Sequence, residues 1–310
     1  MLPKRPACAG MKKESTIIET RSAFIAIVGK PNVGKSSLLN ALTGHKIAIV
    51  TNRPQTTRTR ITGVLTQEET QYVFIDTPGL LKARNKLGEK MVKTVRESVA
   101  DVDAAVLVVE PTGEVNPAEL DLIEGFKSNR MPAVLAINKI DILQNKELLI
   151  ERIAKFQDLY EFSAVVPISA LERDGIDALL GELSKFAIES PHYFPDDAVT
   201  DQHERVLAAE MVREKLLLNL REEIPHGTAV TVETMKEKKG ILHVDAVIYC
   251  ERENHKGMII GKGGSMLKKI ASEARAELED FFQIQVHLQC WVKVKEDWRN
   301  REGILRNLGY

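Results

Sequence analysis

No apolar run in this 310-residue chain approaches the ~20 residues that a membrane-spanning helix needs, so no helical span is expected. Residues 1–22 carry Lys4, Arg5, Lys12 and Lys13 but lack the apolar core of a secretory signal. Met11 opens a more ordinary N-terminus, and residues 1–20 are expected to form a flexible leading segment. Cysteine is scarce. Cys8, Cys250 and Cys290 form no CxxC or paired spacing and read as reduced thiols of a cytoplasmic protein, not as a disulfide or zinc framework. Charge of one sign is missing too: 43 basic against 44 acidic residues leave a net charge of -1. That removes a global basic signal for nucleic acid but not a local patch. No internal repeat or low-complexity segment is present.

What is there divides into two stretches. Residues 23–189 alternate short apolar runs with helical patterns. The runs are FIAIVG (24–29), YVFIDTPG (72–79), DAAVLVVE (103–110), PAVLAINK (132–139) and AVVPISA (164–170). Runs of this kind, bounded by turn residues, predict strands buried on both faces of a mostly parallel sheet. The intervening ELLIERIAKFQDLY (147–160) carries Leu149, Ile153 and Phe156 on one helical stripe. The expected fold is a doubly wound α/β sheet with one antiparallel edge hairpin, ITGVLT (61–66) turning through QEET (67–70) into YVFID. The domain expected over 21–189 is followed by SPHYFPDDAVTDQ (190–202), aperiodic and holding Pro191 and Pro195, which reads as a linker. Residues 203–310 then predict an α+β unit: a helix (206–220), two strands meeting near 238–240, a helix-turn-helix (257–278) and a last strand (283–295).

Gly29-Lys30-Pro31-Asn32-Val33-Gly34-Lys35-Ser36 fits GxxxxGK[ST] between a strand and a helix, with Ser37 next inside that helix. Glycines let the backbone N–H groups curl around phosphates; Lys35 can neutralise the β and γ phosphates, and Ser36 can ligate Mg²⁺. Asp76-Thr77-Pro78-Gly79 closes another run. Asp76 can hold the Mg²⁺ shell, and Gly79 can bring its N–H to the γ phosphate. Asn138-Lys139-Ile140-Asp141 supplies the base. The Asp141 carboxylate matches the N1–H and N2–H₂ donors of guanine, whereas adenine would leave it unpaired. Lys139 can lie along the base, Asn138 can brace the loop, and a backbone N–H at Ser169-Ala170 can reach guanine O6. In Thr56-Thr57-Arg58, Thr57 is the favoured γ-phosphate sensor acting through Mg²⁺. Lys35, Thr57 and Gly79 are thus the expected catalytic groups. Leu80 stands where many regulatory GTPases carry a water-orienting glutamine, so hydrolysis needs another device. The Asn32 amide oxygen can either help hold K⁺ beside the phosphates or only shape the loop.

In the second stretch, Gly261-Lys262-Gly263-Gly264 follows Met258-Ile259-Ile260 and precedes an apolar-periodic helix. Lys256, Lys262, Lys268 and Lys269 gather there, although residues 203–310 are balanced at 18 basic against 17 acidic. The pattern fits the arrangement in which a GxxG loop clamps RNA backbone, with Ile260 beside it, or else a basic helix end in a structural domain. Trp291 and Trp298 read as base-stacking or as packing residues. Lys236, Glu237, Lys238 and Lys239 read as a solvated hairpin tip. His226, His243, His255 and His287 are scattered.

Taken together, GKPNVGKSSLLNAL, the TTR loop, DTPGL, NKID and the Ser-Ala pair resemble translation-factor-related bacterial GTPases. HYFPDDAVTD, REKLLLNLREEIPH, GMIIGKGG and RNLGY narrow the resemblance to the Era family of ribosome-assembly GTPases. It covers nearly the whole chain beyond about residue 20. The resemblance implies a P-loop GTPase domain followed by a type II K-homology domain that binds the 3′ end of small-subunit ribosomal RNA. It also implies action on the 30S-type subunit, GTP/GDP and Mg²⁺ as cofactors, peripheral membrane contact and a monomer. Two other readings remain. One is an RNA-modification GTPase, for which 203–310 offers no metal-ligand cluster or nucleophile-base pair. The other is a membrane-surface regulator, for which no basic amphipathic helix or lipidation motif speaks.

Overall fold

The computed structural model describes residues 20–53, 56–79, 85–100, 102–145 and 147–310. The first unit runs β1 (Arg21–Val28), α1 (Lys35–Thr43), β2 (Ile61–Gln67), β3 (Thr70–Asp76), α2 (Lys86–Ala100), β4 (Ala104–Val109), α3 (Pro117–Asn129), β5 (Ala133–Ile137), α4 (Glu147–Gln157), β6 (Ala164–Pro167), α5 (Ile176–Leu183) and β7 (Ile188–Glu189). Its sheet has the order β2-β3-β1-β4-β5-β6. β1, β3, β4, β5 and β6 pair in parallel, and β2 joins antiparallel through the expected hairpin.

Every residue of β4 (AAVLVV) and β5 (AVLAI) is buried. Alternate residues feed two cores: Val106, Val108, Val134 and Ala136 on one face, Ala105, Leu107, Val109 and Leu135 on the other. Continuous apolar runs are what a sheet covered on both faces requires. The helices are punctuated locally. Asn116 caps α3 through a reciprocal capping box with Glu119, Pro117 takes the first turn, and Arg130 stops the helix in the left-handed region. Phe156 of α4 is fully buried, and Leu149 and Ile153 pack beside it, as the stripe predicts.

The second unit runs α6 (Glu204–Asn219), β8 (Ala229–Lys238), β9 (Ile241–Cys250), α7 (Glu253–Ile260), α8 (Ser265–Phe282), β10 (Gln285–Val294) and α9 (Glu302–Asn307). β9 is central, antiparallel to β8 and parallel to β10. Val212 and Leu216 of α6 and Ile270 and Ala274 of α8 cover one sheet face through Ala246 and Ile248. Residues 236–239 form an exposed hairpin tip, as read from the sequence.

The stretch read as a linker is tied down. β7 pairs antiparallel with β1, a short strand that the sequence pattern did not announce. Val64 N–H donates to Val199 O at 2.9 Å, and Thr200 Oγ1 to Thr62 O at 2.6 Å, covering the outer edge of β2. The buried Gln71 side chain accepts from the Tyr193 and Phe194 amides at 2.8 and 2.9 Å. Its polar groups offer the linker a mould that no apolar period would show. A further cluster joins the two units: Leu87 and Met91 of α2 meet Ala229, Trp298, Leu305 and Leu308. Trp298 is therefore a packing residue, whereas Trp291 is exposed.

Candidate nucleotide and RNA sites

The C-terminal ends of β1, β3, β5 and β6 open onto one edge of the sheet, where ligands of open α/β sheets bind. The P-loop leaves β1 there and feeds α1. Lys35, buried, donates to Gly29 O at 3.1 Å and Lys30 O at 2.9 Å. Burial lowers its pKa to about 8, against the opposing pull of Asp76. Two glycines are demanded by close approach. A Cβ at Gly34 (φ +97°) would lie 2.2 Å from Asn138 Nδ2, and one at Gly79 would lie 2.8 Å from Pro31 Cα. The DTPG turn and the NKID strand end thus both seat against the P-loop backbone.

Ser36, Thr57 and Asp76, predicted as metal ligands, meet. Ser36 Oγ donates to Asp76 Oδ2 at 2.7 Å and lies 2.8 Å from Thr57 Oγ1, which is 3.3 Å from the same carboxylate oxygen. Asp76 Oδ1 is buried without a hydrogen-bond partner among the described residues. Burial pushes the carboxyl pKa up, opposed by Lys35 and these hydroxyls. Two hydroxyls and a buried carboxylate with an unpartnered oxygen are a hard-oxygen set that fits Mg²⁺. Thr56 turns elsewhere, to Thr51 Oγ1 at 2.7 Å, which separates the two adjacent threonines. Thr77 anchors its turn by donating to Ile27 O at 3.0 Å, and Pro78 is buried behind it.

The base-reading end is wired to the phosphate end. Asn138 donates to Val33 O at 2.8 Å and accepts from Ala170 N–H at 2.9 Å. Asn138 braces the loop as expected and takes up the Ala170 N–H, one of the two amides of the Ser169-Ala170 pair expected near guanine O6. Ser169 Oγ donates to Asp141 Oδ1 at 2.5 Å and orients that exposed carboxylate. Lys139 donates to Asn32 O at 2.6 Å and to Glu110 at 2.8 Å, and Glu110 also binds Lys30 at 2.6 Å. Burial would raise the Glu110 pKa, yet the hydrogen bonds from Lys139 and Lys30 hold it below its ordinary value. Glu110 was not singled out in the sequence; its one signal was an acidic residue closing an apolar run. Asn32, at φ +65°, donates its amide nitrogen to Asn52 O at 3.0 Å. A cavity of about 110 Å³ runs between the P-loop, residues 49–53, Thr56, Thr57, Gly79 and Lys139. Leu80 and Cys8 lie outside the described residues.

In the second unit, α7 stops at Gly261, and Lys262–Gly264 make one tight turn before α8. Lys262, Gly263, Lys268 and Lys269 are exposed; Lys256 and Ile260 are half-buried, and Ile259 faces the core. Lys256 lies 3.9 Å from Glu253 and Lys269 3.8 Å from Glu273. The turn presents its lysine and the start of α8 outward, as phosphate binding at a helix N-terminus requires. The histidines are less scattered than read: the His243 and His287 rings, opposite each other on β9 and β10, lie 5.2 Å apart. Among the described residues no group of three or more His, Cys, Asp or Glu could hold a metal ion.

Residues 24–139 match the family described as 50S ribosome-binding GTPase, and residues 223–299 match the KH domain. The chain is 47% identical to GTPase Era of Ruminiclostridium cellulolyticum over 291 residues, 94% of this chain and 97% of the relative. It is 48% identical to GTPase Era of Clostridioides difficile over 292 residues, 94% and 98% of the two chains. Among solved structures, it superposes on a variant of Aquifex aeolicus Era bound to GDP·AlF4− with a TM-score of 0.90, at 37% identity over 94% of this chain and 99% of that one. It superposes on Era in complex with MgGDPNP and nucleotides 1506–1542 of 16S ribosomal RNA with a TM-score of 0.88, at 38% identity over the same shares of the two chains.

Proposed function

The chain belongs to the Era family of GTPases, and from that premise we propose that it is a cytoplasmic RNA-binding switch acting in assembly of the small ribosomal subunit. The GTPase activity is the family's; the RNA reading is carried by one observation, the Gly261–Gly264 turn between α7 and α8, with Lys262 and Gly263 exposed at its centre. That turn can bring backbone N–H groups and Lys262 to a phosphodiester backbone without a side chain in between. A relative of this fold is known with a 16S ribosomal RNA fragment, which makes the 3′ end of small-subunit RNA the ligand of choice here.

Hydrolysis follows from the cluster at the P-loop. Lys35, already hydrogen-bonded to backbone oxygen, exchanges those weak partners for the β and γ phosphates. Asp141, aimed by Ser169, selects guanine. Ser36, Thr57 and Asp76 would hold the metal, and the Gly79 N–H would donate to the γ phosphate. Magnesium, when bound, would supply positive charge to the phosphate oxygens as water bonds to the γ phosphorus and the bond to the GDP leaving group breaks. The Asn32 amide oxygen, its nitrogen given to Asn52 O, would help hold K⁺ as the further charge that hydrolysis needs.

The test is capture of total cell RNA by the protein with a GTP analogue or with GDP, followed by sequencing. Enrichment of the 3′ end of small-subunit RNA is expected, differing between nucleotides. RNA recovered in proportion to its abundance in both states would refute the reading.

A further inference from the structure

Thr57 is gripped on both sides by the second unit. Before it, the Thr56 carbonyl accepts from Arg213 of α6, a fully buried side chain that also pairs with Glu210. After it, the Arg58 side chain leaves the GTPase unit and enters the other. Arg58 Nη1 donates to Thr228 O at 2.6 Å and to the Tyr310 hydroxyl at 3.3 Å, and Nη2 donates to His226 O at 3.0 Å. Gly227 O, between those two carbonyls, accepts from Trp298 Nε1 at 3.0 Å. Three consecutive carbonyls therefore face an Arg58–Trp298 pair, and the guanidinium lies 5.9 Å from both the Trp298 and Tyr310 rings. Upstream, Glu214 of α6 accepts from Val50 N–H at 2.8 Å and from Lys46 at 2.9 Å, and Arg53 donates to Leu220 O at 2.7 Å.

A guanidinium so deeply buried, 4% exposed, is costly to desolvate; its two Nη groups reach fixed backbone oxygens, while Nε is buried without a hydrogen-bond partner among the described residues. No such investment is needed merely to join two domains, because the apolar cluster around Trp298 and Met91 already does that. What the arginine adds is position. With residues 56 and 58 both held, Thr57 has little freedom left and its hydroxyl is delivered to Ser36 and Asp76.

We propose that Arg58 is a positioning residue for GTP hydrolysis: its seat among the carbonyls of residues 226 and 228 holds Thr57 at the metal site, so turnover depends on docking of the K-homology domain. The proposal rests on the assignment of Thr57 to the metal. It also gives a physical link to the RNA turn. The 226–228 loop abuts Glu251, whose carboxylate pairs with Arg299 at 3.0 Å, and α7 starts two residues beyond. A shift of α7 can therefore reach Thr57 through backbone oxygens.

The experiment is single-turnover GTP hydrolysis by the full chain across a Mg²⁺ titration, for wild type, Thr57→Ala, Arg58→Ala and the double variant. Arg58→Ala should slow hydrolysis about ten- to a hundredfold, the scale on which misplacing a catalytic group acts, and raise the Mg²⁺ concentration at half-maximal rate. The double variant should be no slower than Thr57→Ala, because Arg58 acts through Thr57. Should Arg58→Ala not fold by circular dichroism, Arg58→Lys, which keeps the charge but cannot span both carbonyls, carries the same comparison. A folded Arg58 variant with wild-type rate and Mg²⁺ dependence, or one whose defect multiplies with that of Thr57→Ala, overturns the proposal. A wild-type rate for Thr57→Ala would instead remove the metal assignment beneath it.

Discussion

The chain contains two glycine-rich turns that each carry a lysine into the start of a helix, and they are built in opposite ways. The P-loop turn is clamped: Gly34 leaves no room for a Cβ beside Asn138, Gly79 of the DTPG turn presses on Pro31, and Lys35 is buried. The turn at Gly261–Gly264 is open beyond its first glycine: a Cβ at Gly261 would press on Met266, but one at Gly263 or Gly264 would meet nothing within 4 Å, and Lys262 is exposed. A small nucleotide has to be enclosed and read at both ends, so its loop is fixed by three strands at once. A polymer has to be admitted from the side, so its loop stands clear.

The sharpest way to break this comparison is the same substitution in both turns. Gly34→Ala forces a side chain onto Asn138 at a left-handed φ of +97°. Strain of about 1–3 kcal/mol and displacement of the Asn138 brace should weaken GDP binding roughly a hundredfold or more, read by fluorescent-nucleotide titration. Somewhat smaller is the effect of Asp141→Asn, which leaves the loop intact and alters only what the base edge meets. GTP affinity should fall by a few kcal/mol, about a hundredfold, while xanthosine triphosphate, whose C2 carbonyl can accept from the new amide, becomes the better ligand. An unchanged preference for GTP in parallel titrations would take Asp141 out of base recognition. The smallest effect belongs to Gly263→Ala, at φ +59° in open space. It should cost only about 1 kcal/mol of stability in urea unfolding, and a loss comparable to that of Gly34→Ala would erase the distinction between the two turns.

How legible each turn was follows from the same contrast. The nucleotide site is assembled from strand ends, and strand ends are where sequence motifs stay contiguous. GKPNVGKS, DTPG, NKID and the Ser-Ala pair could each be read in place, and the continuous apolar runs announced the mostly parallel sheet that carries them, though not its strand order. Ser36, Thr57 and Asp76 meet as read. What stayed hidden were side chains whose partners come from the other unit or from a distant strand. Glu110 closes an apolar run and bridges Lys30 to Lys139. Gln71 moulds the linker, Glu214 and Arg213 of α6 hold Val50 and Thr56, and Arg58 reaches the 226–228 loop. A lone arginine beside a threonine has no period and no motif, and its partners are backbone oxygens, which every residue possesses. Trp291 and Trp298 illustrate the same limit: both read as base-stacking or packing residues, yet one is exposed and the other is buried among residues from both units.

The claim on which the account turns is that the open turn binds RNA and that the nucleotide site senses it. The direct measurement is affinity for an oligonucleotide from the 3′ end of small-subunit ribosomal RNA. It compares wild type with Lys262→Asp/Gly263→Asp, each with a GTP analogue or GDP, over a range of salt concentrations. Two new negative charges at an exposed turn repel phosphate without disturbing the core, so circular dichroism and GTP binding should be retained. The account predicts that the double variant loses most of its RNA affinity, that wild-type binding weakens with salt, and that the two nucleotides give different wild-type affinities. Linkage then requires RNA to shift nucleotide affinity by the same factor. A folded double variant that binds this RNA as tightly as wild type would contradict the assignment of the turn, and equal wild-type affinity in both nucleotide states would contradict the switch.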